Sequence, residues 1–324
     1  MYQKKNFFNA AEALSGIIKQ TPLLWSKSLN EKLGSNLYLK AECLQHTGSF
    51  KLRGAYYSMH REFIRSGKRD VVAFSSGNHA QGVAFAAKIQ NVKAIIVMPT
   101  DAPESKIKNT IALGAKVIFY DRYTESREEI AQSLANKNDA FLIPAYDHKD
   151  VICGQGTVGL ESFHQMANIG RTIDRFYCPI GGGGLIAGSS SALNLLNPNT
   201  KIIGVEPESL NDTQKSMASG KRETIEIQPN TLCDSLMAQT PGEITFKINH
   251  SLVSSIDTVT DQQVIESMRF AFDEFEIVVE PGGAASLASA IAAINRKEVT
   301  EEESIVVVLS GGNISKERHQ NLIN

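Results

Sequence analysis

Along this chain, short unbroken apolar runs alternate with stretches whose apolar positions recur at helical spacing. Runs at 71–74, 93–98, 116–120 and 140–143 are bounded by turn residues or proline. Helical signals lie between them: up to about 66, after Pro103, and over about 124–136. A second series follows, with helical signals over about 157–167, a run at 175–180, a helix to about 196 and runs at 201–205 and 256–259. It continues with a helix carrying Val264, Met268, Phe272 and Phe275 on one face, an alanine-rich helix after Pro281 and a run at 305–309. Before both series, a helical pattern at 8–19 ends at Thr21-Pro22-Leu23, and an extended run covers 36–42. Unbroken apolar runs suit parallel strands buried on both faces. Their alternation with helices predicts an α/β fold. With no repeat, low-complexity tract or long linker, two closely joined α/β lobes are predicted. The larger is built from residues 1–69 and 148–324, and a smaller mobile one, 70–147, is inserted into it. Ligands of such sheets sit beyond the carboxyl ends of the strands.

Composition narrows the classes. The 324 residues are enough for roughly two domains. A net charge of -2 gives no reason to expect nucleic acid or an anionic membrane as partner. Cys43, Cys153, Cys178 and Cys233 are far apart, without metal-ligand spacing, and read as buried free thiols of a reducing compartment. The polar start Met1-Tyr2-Gln3-Lys4-Lys5-Asn6 lacks the apolar core of a secretory signal, and no apolar run is long enough for a bilayer. A cytoplasmic location is expected.

Chemistry is concentrated where strands end. In Thr47-Gly48-Ser49-Phe50-Lys51-Leu52-Arg53-Gly54-Ala55, Ser49 is predicted to cap a helix starting at Phe50. Lys51 then lies in the first turn, where the helix dipole disfavours an ammonium and favours a nucleophilic amine. After Phe74, Ser75-Ser76-Gly77-Asn78-His79-Ala80-Gln81 makes a nest of N–H groups for a carboxylate or phosphate, or simply a capped turn. After Ile180, four consecutive glycines, Gly181, Gly182, Gly183 and Gly184, open the backbone to a bulky phosphate. Gly182-x-Gly184-x-x-Ala187, with Glu206 as ribose acid, also satisfies a loose dinucleotide fingerprint, so a nicotinamide-dependent dehydrogenase competes. A dehydrogenase has no use for Lys51; an enzyme holding a cofactor aldehyde as an imine does.

Together with Glu280-Pro281-Gly282-Gly283-Ala284 and Ser310-Gly311-Gly312-Asn313, these stretches resemble the threonine/serine dehydratase and serine racemase branch of fold-type II pyridoxal-phosphate enzymes. Met98-Pro99, Ala102-Pro103, Lys106, Gly114-Ala115 and Gly154-Gln155-Gly156-Thr157 match it too, in order over nearly the whole chain. The resemblance implies a tryptophan synthase β-like fold of two mainly parallel twisted sheets with helices on both faces, and a homodimer. It implies that Lys51 holds pyridoxal 5'-phosphate and removes the Cα proton. It further implies that Phe50 packs on the ring, Asn78 bonds the ring hydroxyl, Gly181, Gly182, Gly183 and Gly184 bind the phosphate, and Ser310 bonds the ring nitrogen. Ser75, Ser76, Gly77, Asn78 and His79 would cradle the substrate carboxylate.

A hydroxyl at Ser310, unlike a carboxylate, does not keep the ring nitrogen protonated. The ring is then the weaker electron sink, and loss of a β-leaving group is favoured over a long-lived carbanion. The expected reaction is α,β-elimination of threonine or serine to a 2-oxo acid and ammonia. Serine racemisation and elimination from 3-hydroxyaspartate are alternatives, and an idle ligand-binding relative a further one. Serine racemases resemble this chain in having serine at Ser76, which is either a second proton donor opposite Lys51 or only a cap or carboxylate ligand. In Gly204-Val205-Glu206-Pro207-Glu208-Ser209-Leu210-Asn211-Asp212, Glu206, Asp212 and the Leu210 carbonyl resemble the branch's divalent-cation site, an oxygen set suited to Mg²⁺, Ca²⁺ or Mn²⁺. The other reading is a solvated acidic loop. Cys233-Asp234-Ser235-Leu236 departs from the Ala-Asp-Gly of many relatives near the substrate pocket, which leaves the substrate open. The chain stops soon after Asn313, so feedback inhibition by isoleucine is not expected.

Overall fold

A computed structural model describes residues 2–102, 104–227 and 231–324; Pro103, expected in the first turn of a helix, lies outside them. The chain begins with α1 (Lys4–Leu14), which starts and ends earlier than its apolar spacing predicts. The Asn6 side chain accepts from the Gln3 N–H at 2.8 Å and fixes the start, and Gly16, at φ +73°, follows the end. Next come β1 (Leu23–Leu24), α2 (Lys27–Leu33), β2 (Asn36–Lys40) and α3 (Lys51–Ser66). The first series is β3 (Val71–Phe74), α4 (Asn78–Gln90), β4 (Ala94–Pro99), α5 (Glu104–Ala112), β5 (Lys116–Tyr120), α6 (Arg127–Lys137) and β6 (Phe141–Leu142). The second is α7 (Lys149–Asn168), β7 (Arg175–Pro179), α8 (Gly184–Leu196), β8 (Lys201–Pro207), α9 (Asp212–Ser219), α10 (Glu243–Leu252), β9 (Ser255–Val259), α11 (Asp261–Phe275), α12 (Pro281–Asn295), β10 (Ser304–Val308) and α13 (Lys316–Ile323).

The strands form two sheets. One is parallel throughout, in the order β5-β4-β3-β6, with Val71 opposite Ala94 and Phe141. The other runs β1-β2-β10-β7-β8-β9 and is parallel except for β1. Within it β2, near the start of the chain, pairs with β10, near its end, with Leu37 opposite Ile305.

Both sheets are covered on both faces, which is why their strands read as unbroken apolar runs. Side chains alternate across a strand. Ile305 and Val307 of β10 therefore pack with Val264, Met268 and Leu287 of α11 and α12. Val306 and Val308 pack on the opposite face with Val158, Ile186 and Leu193 of α7 and α8. In the smaller sheet, Val71 and Ala73 meet Leu52, Met59 and Val83 of α3 and α4, while Val72 meets Ala131 and Ala135 of α6. Phe272 shares the helical spacing of Val264 and Met268 but is exposed, its ring tilted against that of His319 at 5.5 Å.

Candidate active site

The residues around Lys51 are held by pairing with the loop after β10. Ser49 forms an antiparallel bridge with Gly311, the Phe50 N–H donates to the Ser310 carbonyl at 3.2 Å, and the Gly312 N–H donates to Gly48 at 2.9 Å. This pairing corrects the expected cap. Ser49 is extended, its hydroxyl is buried without a partner, and Phe50 takes the cap position ahead of Lys51. Lys51 still stands in the first turn. Its Nζ donates to the Ala145 carbonyl at 3.0 Å and lies 5.2 Å from the Phe50 ring centroid. Burial lowers the ammonium to about 8, with the Glu280 carboxylate opposing the shift. A useful fraction is then free amine near neutral pH.

Behind Lys51, the helix is anchored by charge. Arg53 is fully buried, and its guanidinium grips Glu42 at 2.8 and 2.7 Å and Glu161 at 2.9 Å. Lys40 completes the set through Glu161 at 2.5 Å and the Thr21 carbonyl at 2.8 Å.

Phe50, Lys51, Asn78, Gly181, Gly182, Gly183, Gly184 and Ser310 line one cleft with Tyr146, Ser235 and Leu236. The glycines have no room for side chains. A Cβ on Gly182 would lie 2.3 Å from the Tyr146 ring, and Gly183, at φ +86°, caps α8. The Thr245 hydroxyl holds the Gly182 carbonyl at 2.8 Å, turning the loop's N–H groups and the α8 terminus to the cleft. Gln155 is buried beside Gly184, and neither of its amide atoms has a partner. A glycine loop that leaves no space for side chains and leads into the N-terminus of α8 fits the phosphate of the cofactor the sequence implies.

Across the cleft, the turn after β3 is closed by the Ser75 hydroxyl, which accepts from the Gly77 N–H at 3.1 Å. Ser76 therefore does not supply that turn bond. The first N–H groups of α4, at Asn78 and His79, have no partners within the helix. The His79 ring bonds the Ile143 carbonyl at 3.2 Å, and burial, helped by Lys51, lowers its pKa to about 3. At neutral pH the His79 ring therefore brings no positive charge to this turn.

One residue quoted in a motif gained no role from sequence. Glu280, fully buried, accepts from the Asn78 side-chain amide at 2.5 Å, and Asn313 donates to the other end of that amide at 2.7 Å. Asn78 is thus held from both sides. Burial pushes the Glu280 carboxyl up to about 7. Only the meeting of α4, α12 and the β10 loop gives Glu280 this place. Its signal in sequence was weak: an acidic residue immediately before a helix-starting proline.

Glu206 and Asp212 are brought together. The Glu206 oxygens accept from the N–H groups of Thr213 and Gln214 at 3.0 and 2.8 Å. Both Asp212 oxygens are buried without a partner. Burial raises both carboxyls, and the neighbouring Glu206 raises Asp212 further. No group of three or more His, Cys, Asp or Glu side chains suited to a metal occurs among the described residues. All four cysteines are buried and free, and no helix among the described residues is long and apolar enough to cross a membrane.

Comparison with known proteins defines the class. The pyridoxal-phosphate dependent enzyme family matches residues 14–311, and the chain belongs to it. It is 41% identical to L-threo-3-hydroxyaspartate ammonia-lyase of Saccharomyces cerevisiae, covering 97% of this chain and 94% of that one. It is 38% identical to serine racemase of Schizosaccharomyces pombe, over 97% and 95%. Among solved structures, a T.th. threonine deaminase superposes with a TM-score of 0.88 at 39% identity, covering 96% of this chain and 98% of that one. The fold is therefore the tryptophan synthase β-like, fold-type II arrangement, and the chain is an enzyme of the amino-acid ammonia-lyase and racemase group. The nicotinamide reading of Gly182-x-Gly184-x-x-Ala187 is set aside by this membership.

Proposed function

We propose that the enzyme eliminates water from a β-hydroxy amino acid such as threonine or serine, releasing a 2-oxo acid and ammonia. The observation that carries the reading is the end of β10: a hydroxyl, Ser310, faces the cleft, and no Asp or Glu is among the described residues that line it. In this reading Lys51 holds the cofactor aldehyde, Gly181, Gly182, Gly183 and Gly184 the phosphate, Asn78 the ring hydroxyl, Ser310 the ring nitrogen and Phe50 the ring face. Bound there, the cofactor supplies an electron sink for charge developing at Cα. The N–H groups from Ser75 to His79 fix the substrate carboxylate, and the Lys51 amine takes the Cα proton. Lys51, displaced from the aldehyde by the substrate amine before it acts as base, passes its proton to the β-hydroxyl, which leaves Cβ as water. The released enamine takes a proton from water at Cβ and hydrolyses as the imine to 2-oxo acid and ammonia. The test is incubation of the loaded enzyme with L-threonine, L-serine and L-threo-3-hydroxyaspartate. Failure to form 2-oxo acid from any of them overturns the reading.

A second reading, serine racemisation, draws on Ser76. Because Ser75 makes the turn bond, the Ser76 hydroxyl is free to deliver a proton. D-serine accumulating in the same assay, and lost in Ser76→Ala, is its expected sign.

Glu280 should position Asn78. Glu280→Gln is expected to lower turnover by about 10- to 100-fold through loss of alignment. Stability of the cofactor-free protein supplies a separate readout. Glu280 has a folded pKa raised to about 7 from 4.5, so its favourable contribution is complete below pH 4.5 and is lost as pH rises through 7. The parent should melt at lower temperature at pH 8 than at pH 5, and the variant should show less of this fall.

We also propose a divalent cation at Glu206, Asp212 and the Leu210 carbonyl, supported by the unpartnered Asp212 oxygens. Saturating Mg²⁺ is expected to raise the melting temperature by several degrees. The rise should be larger at pH 8 than at pH 6, because both carboxyls must ionise, and absent in Asp212→Asn. A parent unmoved by Mg²⁺ at both pH values overturns the site. On the resemblance, we further propose that residues 70–147 close over the substrate and that the enzyme is a homodimer, with light scattering expected at twice 35.4 kDa.

A further inference from the structure

The β-hydroxy amino acids that such a site accepts differ in what else Cβ carries: hydrogen, a methyl group or a carboxylate. A carboxylate brought into a closing cleft needs a cation beside it. Lys51 is committed to the reaction. Lys106, on α5, is a second lysine, tied to the edge of this cleft.

Its ammonium donates to an Asp234 oxygen at 2.8 Å, joining α5 to the turn that begins at Asp234. The next two residues, Ser235 and Leu236, line the cleft. The Ser235 hydroxyl is buried and has no partner. The charges of Lys106 and Asp234 both act on the buried Glu280 carboxyl, in opposite senses, which places the pair near the residue that holds Asn78. The Lys106 and Asp234 side chains are 16% and 29% exposed, more enclosed than most ion pairs of this protein.

We propose that Lys106 is a specificity-determining residue that binds the β-carboxylate of L-threo-3-hydroxyaspartate, with Asp234 as its partner when the substrate brings none. The inference rests on the elimination reading and names the substrate it favours. Exchanging one carboxylate for another keeps the ammonium paired throughout, so no buried charge is stranded. Asp234, the more exposed of the two, turns toward water. The free Ser235 hydroxyl is a second donor for the incoming carboxylate. With serine or threonine nothing displaces Asp234, and the pair stays closed. Lys106 thus contributes to one substrate and is indifferent to the others.

The test is Lys106→Met, which keeps most of the length and removes the charge. For L-threo-3-hydroxyaspartate, kcat/KM is expected to fall by about 100-fold, mainly through KM. For L-serine it should change by less than about threefold, the scatter expected of a site that has lost no contact to that substrate. Lys106→Arg should restore part of the loss. Succinate, which has both carboxylates but no amine or leaving group, should inhibit the parent competitively and the Met variant much more weakly. Equal losses for serine and hydroxyaspartate would make the pair a simple latch between elements and overturn the proposal. So would a Met variant with undiminished hydroxyaspartate turnover. If the parent forms 2-oxo acid from no substrate, the elimination reading fails by itself. Succinate binding to the loaded protein, followed by its absorbance, then decides Lys106 alone.

Discussion

Lys51→Ala is expected to reduce formation of 2-oxo acid by at least about 10⁴-fold, because in the proposed mechanism one substitution removes both the group that holds the cofactor and the base at Cα. The loaded parent should be yellow and lose that colour on borohydride treatment with a stable adduct on Lys51; the variant should form no adduct. Folding should survive. The Lys51 ammonium has one hydrogen bond, to Ala145, and burial makes its charge costly. The cofactor-free protein gives an independent check. An amine lowered from 10.5 to about 8 on folding makes the unfolded chain bind more protons between those values, so parent stability should rise with pH across that window. The alanine variant should lack that rise. Turnover persisting in the variant would remove Lys51 from the mechanism.

What was legible in sequence, and what was not, follows from the range of the forces involved. The parallel strands of both sheets were readable because burial on both faces requires continuous apolar runs, a local pattern; β1, two residues at a sheet edge, was not. The glycine run was readable because four small residues after a strand have few other uses. The start of α7 was not. The helix begins at Lys149, well before the expected 157, and runs through Gly154 and Gly156, which local propensity counts against it. Those glycines serve contact between helices. A Cβ on Gly154 would lie 2.6 Å from the Arg53 carbonyl, and one on Gly156 would lie 2.7 Å from that of Gly188. Tertiary approach therefore overrides propensity there. Ser49 failed as a cap for a similar reason, since a bridge to a residue near the far end of the chain claimed its backbone. The Lys106–Asp234 pair and the hold of Glu280 on Asn78 join residues 128 and 202 positions apart, so no local window could have shown them. By contrast α2 was missed although its signals were local: Ser26 caps it and Gly34, at φ +61°, ends it.

Arg53→Met is expected to cost about 3–5 kcal/mol of stability, the usual range for removing one partner of a buried ion pair. The buried set holds two cations, Lys40 and Arg53, and two carboxylates, Glu42 and Glu161, so its charge is balanced. Glu42 is fully buried, and three of its contacts come from Arg53 and Thr21. Burial alone would raise the Glu42 pKa, but the Arg53 guanidinium, joined by Lys40 and the Thr21 hydroxyl, more than reverses this and holds it below its ordinary value. In the parent, the stabilisation Glu42 provides is therefore present above about pH 4.5 and lost as pH falls through its lower folded value. Without Arg53 the sign inverts, because burial is left without its counterweight and the Glu42 pKa rises. The variant's deficit should then be large at pH 7 and smaller at pH 4, where Glu42 can take a proton. Removing Glu42 as well, in Glu42→Met with Arg53→Met, deletes a cation and an anion together and leaves Lys40 paired with Glu161. Much of the lost stability should return in that double variant. Turnover is a third readout, since Arg53 lies in the same helical turn as Lys51 and a shift of that turn misplaces the base. Melting curves of the cofactor-free proteins at the two pH values decide the matter: an Arg53→Met variant that melts with the parent at pH 7 would show that this network does not hold the lysine-bearing helix.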